Sequence, residues 1–226
     1  MNFCFDCDDT LYDMRQPFDA ACRAILPDLR ADPEEFYVMT RQLSEDVFHL
    51  VQEGSMTVDE SGAWRIQEGC RRLGQPISAE QAQAFQRVYR QAQTDIRMDP
   101  VLETWLSGTC SGLWILSNGP DDHQRRKFTA LDTKRFFPEN HTFTSGQIGY
   151  AKPDRRAFEA VTDQPEDFWY IGDNYVNDME GAKALGWHTI HFNRRRQESG
   201  PAADYAVYTE SELTALLRQL EGEKHV

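Results

Sequence analysis

Short apolar and aromatic runs recur along the chain, each closed by Gly, Asn or Asp: Asn2 to Phe5, Leu113 to Leu116, Phe168 to Ile171 and His188 to Phe192. Such runs, too short for helices and bounded by turn formers, predict buried strands. The stretches Asp121 to Leu131, Pro153 to Val161, Asn177 to Leu185 and about Thr209 to Leu220 instead predict helices. Strand and helix alternate, so the expected fold is α/β, a doubly wound parallel sheet covered by helices on both faces.

From about Asp13 to Asp99 the rhythm breaks. No convincing strand occurs there, and helix-start signals follow one another. Asp32-Pro33-Glu34-Glu35 offers an N-cap, a proline for the first helical position and a reaching carboxylate, and Thr57-x-x-Glu60 and Ser78-x-x-Gln81 are capping boxes. Gly74 stands where the third helix should stop. With an earlier helix from Pro17 to about Leu26, residues 14–98 form an inserted all-α bundle of roughly four helices, and residues 1–13 and 99–226 form the α/β core. Phe36, Val47, Phe48, Trp64, Ile66, Phe85, Val88 and Tyr89 are expected in the bundle core or at a domain interface, with short linkers near Asp13 and Asp99-Pro100.

A length of 226 residues suits one large domain carrying such an insertion. The chain holds 24 basic and 37 acidic side chains, a formal charge of −13 at pH 7. That balance argues against nucleic acid or an anionic membrane as partner, since either needs clustered Lys and Arg. The one dense basic run, Arg194-Arg195-Arg196, reads as a solvated loop. The start, Met1 to Asp6, has no basic head, and no apolar stretch approaches the ~18 residues of a membrane span, so a cytoplasmic protein is expected. The five cysteines, Cys4, Cys7, Cys22, Cys70 and Cys110, lack the density of a disulfide scaffold, and Cys4-x-x-Cys7 has no second pair to complete a zinc site. Reduced thiols are expected.

Asp6-Cys7-Asp8-Asp9-Thr10 follows the opening strand. Aspartate is abundant here, so D-x-D alone is a weak signal. Its position strengthens it, because ligands of open parallel sheets bind beyond the carboxyl ends of the strands. Carboxylates two apart on extended backbone project to one side with room for a tetrahedral phosphorus, so one can attack while the other protonates the leaving oxygen. Gly172-Asp173-Asn174 and Asp178 bring further acids to the same edge. At ~4 Å each like-charged pair costs about 4 kcal/mol at an effective dielectric of 20. A hard divalent cation held by oxygen, most naturally Mg²⁺, resolves that conflict, although Asp178 has the alternative role of favouring a helix start. Lys152 before Pro153 falls at a predicted helix start, where a cation opposes the dipole; it either holds phosphate and nucleophile together or is a surface lysine. Ser117-Asn118-Gly119-Pro120 offers a hydroxyl and backbone N–H groups for phosphate oxygens, or is an ordinary turn.

Taken in order, Asp6-x-Asp8-x-Thr10, Ser117-Asn118, Lys152-Pro153 and Gly172-Asp173 with Asp178 resemble the four motifs of the haloacid dehalogenase superfamily, in its phosphatase branch with a helical cap between the first two motifs. The resemblance covers about residues 1–195. It implies a Rossmann-like core, Asp6 as nucleophile and Asp8 as general acid and then base. It also implies Mg²⁺ held by Asp6, Asp8 through its carbonyl, Asp173 and Asp178, and a phosphoryl group bound by Ser117, Asn118 and Lys152. Asp9 stands where relatives commonly have Gly, and Asn174 where they commonly have Ser. A carboxylate at position 8 separates the phosphatases from the dehalogenases proper, which lack it and work without metal. The expected activity is hydrolysis of a small phosphate monoester, a nucleotide or a phosphoglycolate-like metabolite. A phosphomutase acting on a sugar phosphate and a silent binding or regulatory protein are the alternatives. Attack requires Asp6 ionised and Asp8 protonated. His49, His123, His141, His188, His191 and His225 receive no catalytic role.

Overall fold

A computed structural model describes residues 1–223 of the chain. They divide into two compact units, residues 14–96 and residues 1–13 together with the chain from 97 onward.

The first unit consists of four helices, α1 (Arg15–Ile25), α2 (Pro33–Gln52), α3 (Val58–Arg72) and α4 (Ala79–Ala92). Their starts follow the sequence signals. Asp32 accepts the N–H groups of Glu34 and Glu35, and both capping boxes close reciprocally. Each cap satisfies N–H groups that a helix start otherwise leaves to solvent, worth about 1 kcal/mol. Helix α3 ends at Arg72, and Gly74 takes the left-handed φ of 70° that ends the turn. Helix α1 packs on α4 and α2 on α3. Phe18 stands at the centre, with its ring 5.2 to 5.6 Å from those of Phe36, Tyr37 and Phe85. Of the residues expected in the bundle core, Phe36, Ile66 and Phe85 are fully buried, whereas Phe48 is 38% exposed.

In the second unit six strands, β1 (Asn2–Phe5), β2 (Gly112–Ser117), β3 (Thr142–Thr144), β4 (Phe168–Gly172), β5 (His188–Phe192) and β6 (Tyr205–Val207), make one parallel sheet in the order β3-β2-β1-β4-β5-β6. Its helices are α5 (Pro100–Gly108), α6 (Asp121–Ala130), α7 (Ser145–Ile148), α8 (Arg155–Glu159), α9 (Gly181–Lys183) and α10 (Glu210–Glu223). Side chains alternate across a strand. Cys4 therefore faces the side where Phe158 of α8, Ala182 of α9 and Trp187 form a core with Tyr170. Phe3 and Phe5 face the other side, where Phe3 meets Trp105 of α5 edge-on at 5.4 Å and Phe5 meets Phe137 at 6.0 Å. Helices thus cover both faces. The strand order reverses between β1 and β4, the point at which the outgoing loops diverge and leave a crevice beyond the carboxyl ends.

Several expectations need correction. Strands β3 and β6 have no counterpart in the apolar pattern, and α5 occupies what the Asp99-Pro100 linker suggested, with Asp99 capping Val101 N–H. The helix expected from Pro153 starts at Arg155 because Asp154 supplies the cap, so Lys152 and Pro153, joined by a cis peptide, precede the helix. The helix expected from Asn177 begins earlier, as a π-helical turn over Tyr175–Glu180 capped by Asn174, and continues into α9. Among the described residues no helix is long and apolar enough to cross a membrane. All five cysteines are free.

Candidate active site

Asp6 extends β1 by one residue, its N–H donating to the Ile171 carbonyl at 2.8 Å. By alternation its side chain shares the face of Cys4 and meets Lys152. The Lys152 ammonium, buried, donates to Asp6 Oδ1 at 2.8 Å, Asp178 Oδ1 at 2.7 Å and the Tyr170 hydroxyl at 2.7 Å. The Tyr170 hydroxyl in turn donates a hydrogen bond to the Leu116 carbonyl at 2.8 Å. All three ammonium donors are therefore used. Lys152 is raised above the ordinary lysine range, because Asp178 and Asp6 outweigh a burial that favours the neutral amine. Of the two readings of Lys152, the surface lysine is the one the structure sets aside: the ammonium is buried between two carboxylates, one of them Asp6, and lies ahead of the helix start.

The backbone of Lys152 is held as firmly. Asn118 Nδ2 donates to its carbonyl at 2.9 Å and Asn118 Oδ1 accepts its N–H at 2.8 Å. The Asn118 side chain is thus spent on Lys152 and not turned toward a ligand. The Gly119 N–H is likewise taken, by Ser145 Oγ at 2.8 Å. Ser117 fits the sequence expectation better. It closes β2 beside β1, and its hydroxyl is buried with no hydrogen-bond partner. An unsatisfied buried hydroxyl is costly and suits an incoming oxygen.

Asp6, Asp173 and Asp178 each offer a carboxylate oxygen, all within 4.8 Å of one another. Against one ammonium this leaves excess negative charge in a buried place. The donor set is all oxygen and anionic, and so fits a hard divalent cation. Gly172 is required beneath it, since a Cβ there would run into Asp178 Oδ2. That oxygen accepts the Asn174 N–H at 3.0 Å, which folds the loop back over the acids. His191 supports the loop from β5. Burial lowers its pKa and keeps the ring neutral. Its Nε2 lies 2.9 Å from the Asp173 carbonyl, which can only accept, so Nε2 carries the proton and Nδ1 accepts from Ser199 Oγ at 2.9 Å. His188, three residues away, is on the outer side, stacked on Trp169. His225 lies outside the described residues.

Asp8 is turned to other partners. Both of its oxygens accept from Lys127 Nζ, at 2.8 and 2.6 Å, while the Tyr12 hydroxyl donates to Oδ1 at 2.6 Å and Gln124 Nε2 to Oδ2 at 3.3 Å. Lys127, Gln124 and Tyr12 received no role from sequence reasoning. A signal was present: on α6 the buried positions Gln124, Lys127, Phe128 and Leu131 follow i, i+3, i+4, i+7, so a glutamine and a lysine stand in the apolar stripe. Polar residues at core positions need a partner, and Asp8 is that partner.

The two carboxyls are pushed apart, in the sense opposite to that needed for attack. Burial, helped by Asp178 and Asp8, outweighs Lys152 and raises Asp6 to about 7. Burial also opposes ionisation of Asp8, but Lys127 with the bonds from Tyr12 and Gln124 overcomes it and lowers that pKa. Of the two, Asp6 is the group that holds a proton readily.

The basic run is not a solvated loop as a whole. Arg194 and Arg195 have side chains only 8% and 13% exposed, docked on the loop of Asp9 and on Asp13, and only Arg196 is exposed.

A family model for haloacid dehalogenase-like hydrolases matches residues 1–186. The chain belongs to that family. Within it, a phosphoserine phosphatase of Thermus thermophilus is 32% identical over 95 residues, 40% of this chain and 37% of that protein. A glyceraldehyde 3-phosphate phosphatase of Pyrococcus furiosus is 30% identical over 115 residues, 48% of this chain and 47% of that protein. The matches span less than half the length of these curated relatives. Among solved structures, the HAD-hydrolase YfnB of Bacillus subtilis bound to magnesium superposes with a TM-score of 0.69 at 21% identity, covering 96% of this chain and 97% of that one. An L-2-haloacid dehalogenase from Xanthobacter autotrophicus superposes with a TM-score of 0.71 at 17% identity, covering 96% and 98%. At these identities the superpositions speak to the fold alone.

Proposed function

We propose that this hydrolase is a Mg²⁺-dependent phosphatase of small phosphate monoesters that works through an aspartyl phosphate on Asp6. The observation that carries the reading is the juxtaposition of a buried carboxylate, a buried lysine and two further acids at the β1–β4 switch point, with a second carboxylate, Asp8, two residues on. Both curated relatives are phosphatases by name, which supports the same chemistry here. The dehalogenase reading is disfavoured by Asp8, which a dehalogenase of this family lacks.

Asp6, Asp173, Asp178 and the Asp8 carbonyl would hold the cation, which would neutralise the acids and the substrate dianion. The Ser117 hydroxyl would donate to a phosphoryl oxygen, and the Lys152 ammonium, whose hydrogens are taken by Asp6, Asp178 and Tyr170, would offset the phosphoryl charge from beside the nucleophile. The Asp6 carboxylate attacks phosphorus, the bond to the substrate oxygen breaks, and that oxygen leaves with a proton from Asp8. Asp8 then takes a proton from the water that attacks phosphorus, the bond to Asp6 breaks, and phosphate and the Asp6 carboxylate are released. The residues around Asp8 suit the second half more directly than the first, because Lys127 keeps it ionised as a base. We propose a small metabolite, and no nucleic acid or membrane, as its partner, on the strength of its acidic charge.

A panel of phosphorylated metabolites assayed with Mg²⁺ and with a chelator tests this. Chelator-sensitive phosphate release is expected. Transfer of the phosphoryl to a sugar hydroxyl would favour a mutase, chloride release from 2-chloropropionate without metal a dehalogenase, and no turnover of any substrate a binding protein.

Two further results are expected. Since a dication binds the Asp6 carboxylate and Asp6 titrates near 7 without it, metal binding must displace a proton below that pH. The apparent Mg²⁺ affinity should therefore rise with pH and level off above about 7. Calorimetry in buffers of different ionisation enthalpy should show proton release at pH 6 that fades by pH 8. Uptake or no exchange of protons would contradict it. Second, Lys127→Met removes the cation that lowers the Asp8 pKa. The basic limb of kcat/KM for an alkyl phosphate should move up by about one pH unit or more, whereas an aryl phosphate, whose leaving group needs little protonation, should barely respond. An unmoved alkyl profile would remove Asp8 as the acid.

A further inference from the structure

Asp9 has a φ of 54°, the left-handed region that a residue with a side chain adopts at a cost, although Asp tolerates it better than most. Its φ and ψ set the angle between two peptide planes. The first carries the Asp8 carbonyl, and the carbonyl of the second is held from the end of β5. Arg194 Nε donates to the Asp9 carbonyl at 2.8 Å and Nη2 to the Thr10 carbonyl at 3.0 Å. The same guanidinium lies over the Phe192 ring at 4.1 Å and pairs with Glu210 at the start of α10, so it is itself fixed. Arg195 takes the side-chain end, donating to Asp9 Oδ1 at 3.4 Å and pairing with Asp13, the last residue before the helical unit. Arg196 does something else: it is exposed and lies over the Tyr208 ring.

We propose that Arg194, seconded by Arg195, is a positioning residue that locks the reactive loop, holding Asp9 left-handed and thereby aiming Asp8. The planar fork of a guanidinium reaches two successive carbonyls in fixed directions, which a lysine ammonium cannot do. The assignment of Asp8 as a reacting group rests on the phosphatase reading; the lock on the loop does not.

The test compares wild type with Arg194→Gln, Arg194→Lys and Arg196→Asn, reading kcat and KM on an aryl phosphate with Mg²⁺ and, separately, hydrogen exchange of the amides of residues 8–11 without metal. Arg194→Gln should lower kcat about 10- to 100-fold with KM within about twofold, and should speed exchange in the loop, because an Ångström of misplacement costs that much in an oriented reaction. Arg194→Lys should fall between, and Arg196→Asn should match wild type. In an Asp9→Gly background, where the left-handed turn has no steric cost, the loss caused by Arg194→Gln should shrink. An equal loss in both backgrounds, or unchanged loop exchange in folded Arg194→Gln and Arg194→Lys proteins, would overturn the assignment. If wild type releases no phosphate from any substrate the phosphatase reading fails, and the exchange measurement still decides the lock.

Discussion

Asp6→Asn is expected to abolish turnover, by about 10⁴-fold or more, and at the same time to stabilise the metal-free protein above pH 7. The first effect follows from its proposed role, since an amide cannot form the acyl phosphate. The second follows from its surroundings. The folded carboxyl titrates near 7 and the unfolded one near 4, so the folded state holds the proton more tightly. Raising the pH from about 4 to 7 therefore removes stability, and above 7 the whole cost persists. Asparagine keeps an acceptor for Lys152 and carries no charge, so it avoids that cost. Thermal unfolding in EDTA should show a higher Tm for Asp6→Asn than for wild type at pH 8 and little difference at pH 5. Full activity in this variant would remove the nucleophile, and a lower Tm at pH 8 would mean that the carboxylate is not the burden described.

Lys152→Met is expected to act in the reverse sense on the fold. The ammonium is buried and is the cation that Asp6 and Asp178 share, so its removal leaves two buried carboxylates facing each other. Breaking a buried pair in this way costs about 3 to 5 kcal/mol. Proton uptake by Asp6 softens the loss below neutral pH, so urea unfolding in EDTA should show the greatest destabilisation near pH 8. Millimolar Mg²⁺ should restore part of it, because a dication supplies the missing positive charge. Turnover should fall about 10²- to 10³-fold even with metal, as expected when a group stabilising developing charge is lost. A variant as stable as wild type in EDTA at pH 8 would show that the carboxylates do not depend on Lys152.

The parts of this architecture legible in the sequence are those where one residue type in one local pattern decides the matter. Capping boxes at Thr57 and Ser78 mark helix starts because their bonds are local, and the runs around Phe3, Leu116, Tyr170 and Ile190 mark strands because both faces are buried. Asp6, Asp173 and Asp178 stand out because acids that follow strands have one edge to share. What escaped is decided by tertiary contact. Strands β3 and β6 are three residues each, and Thr142 to Thr144 is indistinguishable from a loop until β2 pairs with it. Lys127 and Asp8 are 119 residues apart, so no local pattern joins them. Asn118 looked like a ligand-facing residue because its backbone target, Lys152, becomes its neighbour only in the folded sheet. The arginine run looked solvated because charge was the only property visible, and the carbonyls that bury it belong to the other end of the chain.

The central position of β1 bears on the order in which the molecule can form. This strand leaves the ribosome before the other five, yet its two neighbours in the sheet begin at residues 112 and 168, so it waits unpaired while the helical unit is made. Residues 14–96 are contiguous and locally connected, a topology suited to rapid folding. Once folded, they shorten the span of flexible chain that must close to bring β1 to β2, which lowers the entropic cost of that closure. The reactive loop after β1 is therefore among the last parts of the protein to acquire its shape, because the Ile171 carbonyl that accepts the Asp6 N–H arrives only with β4.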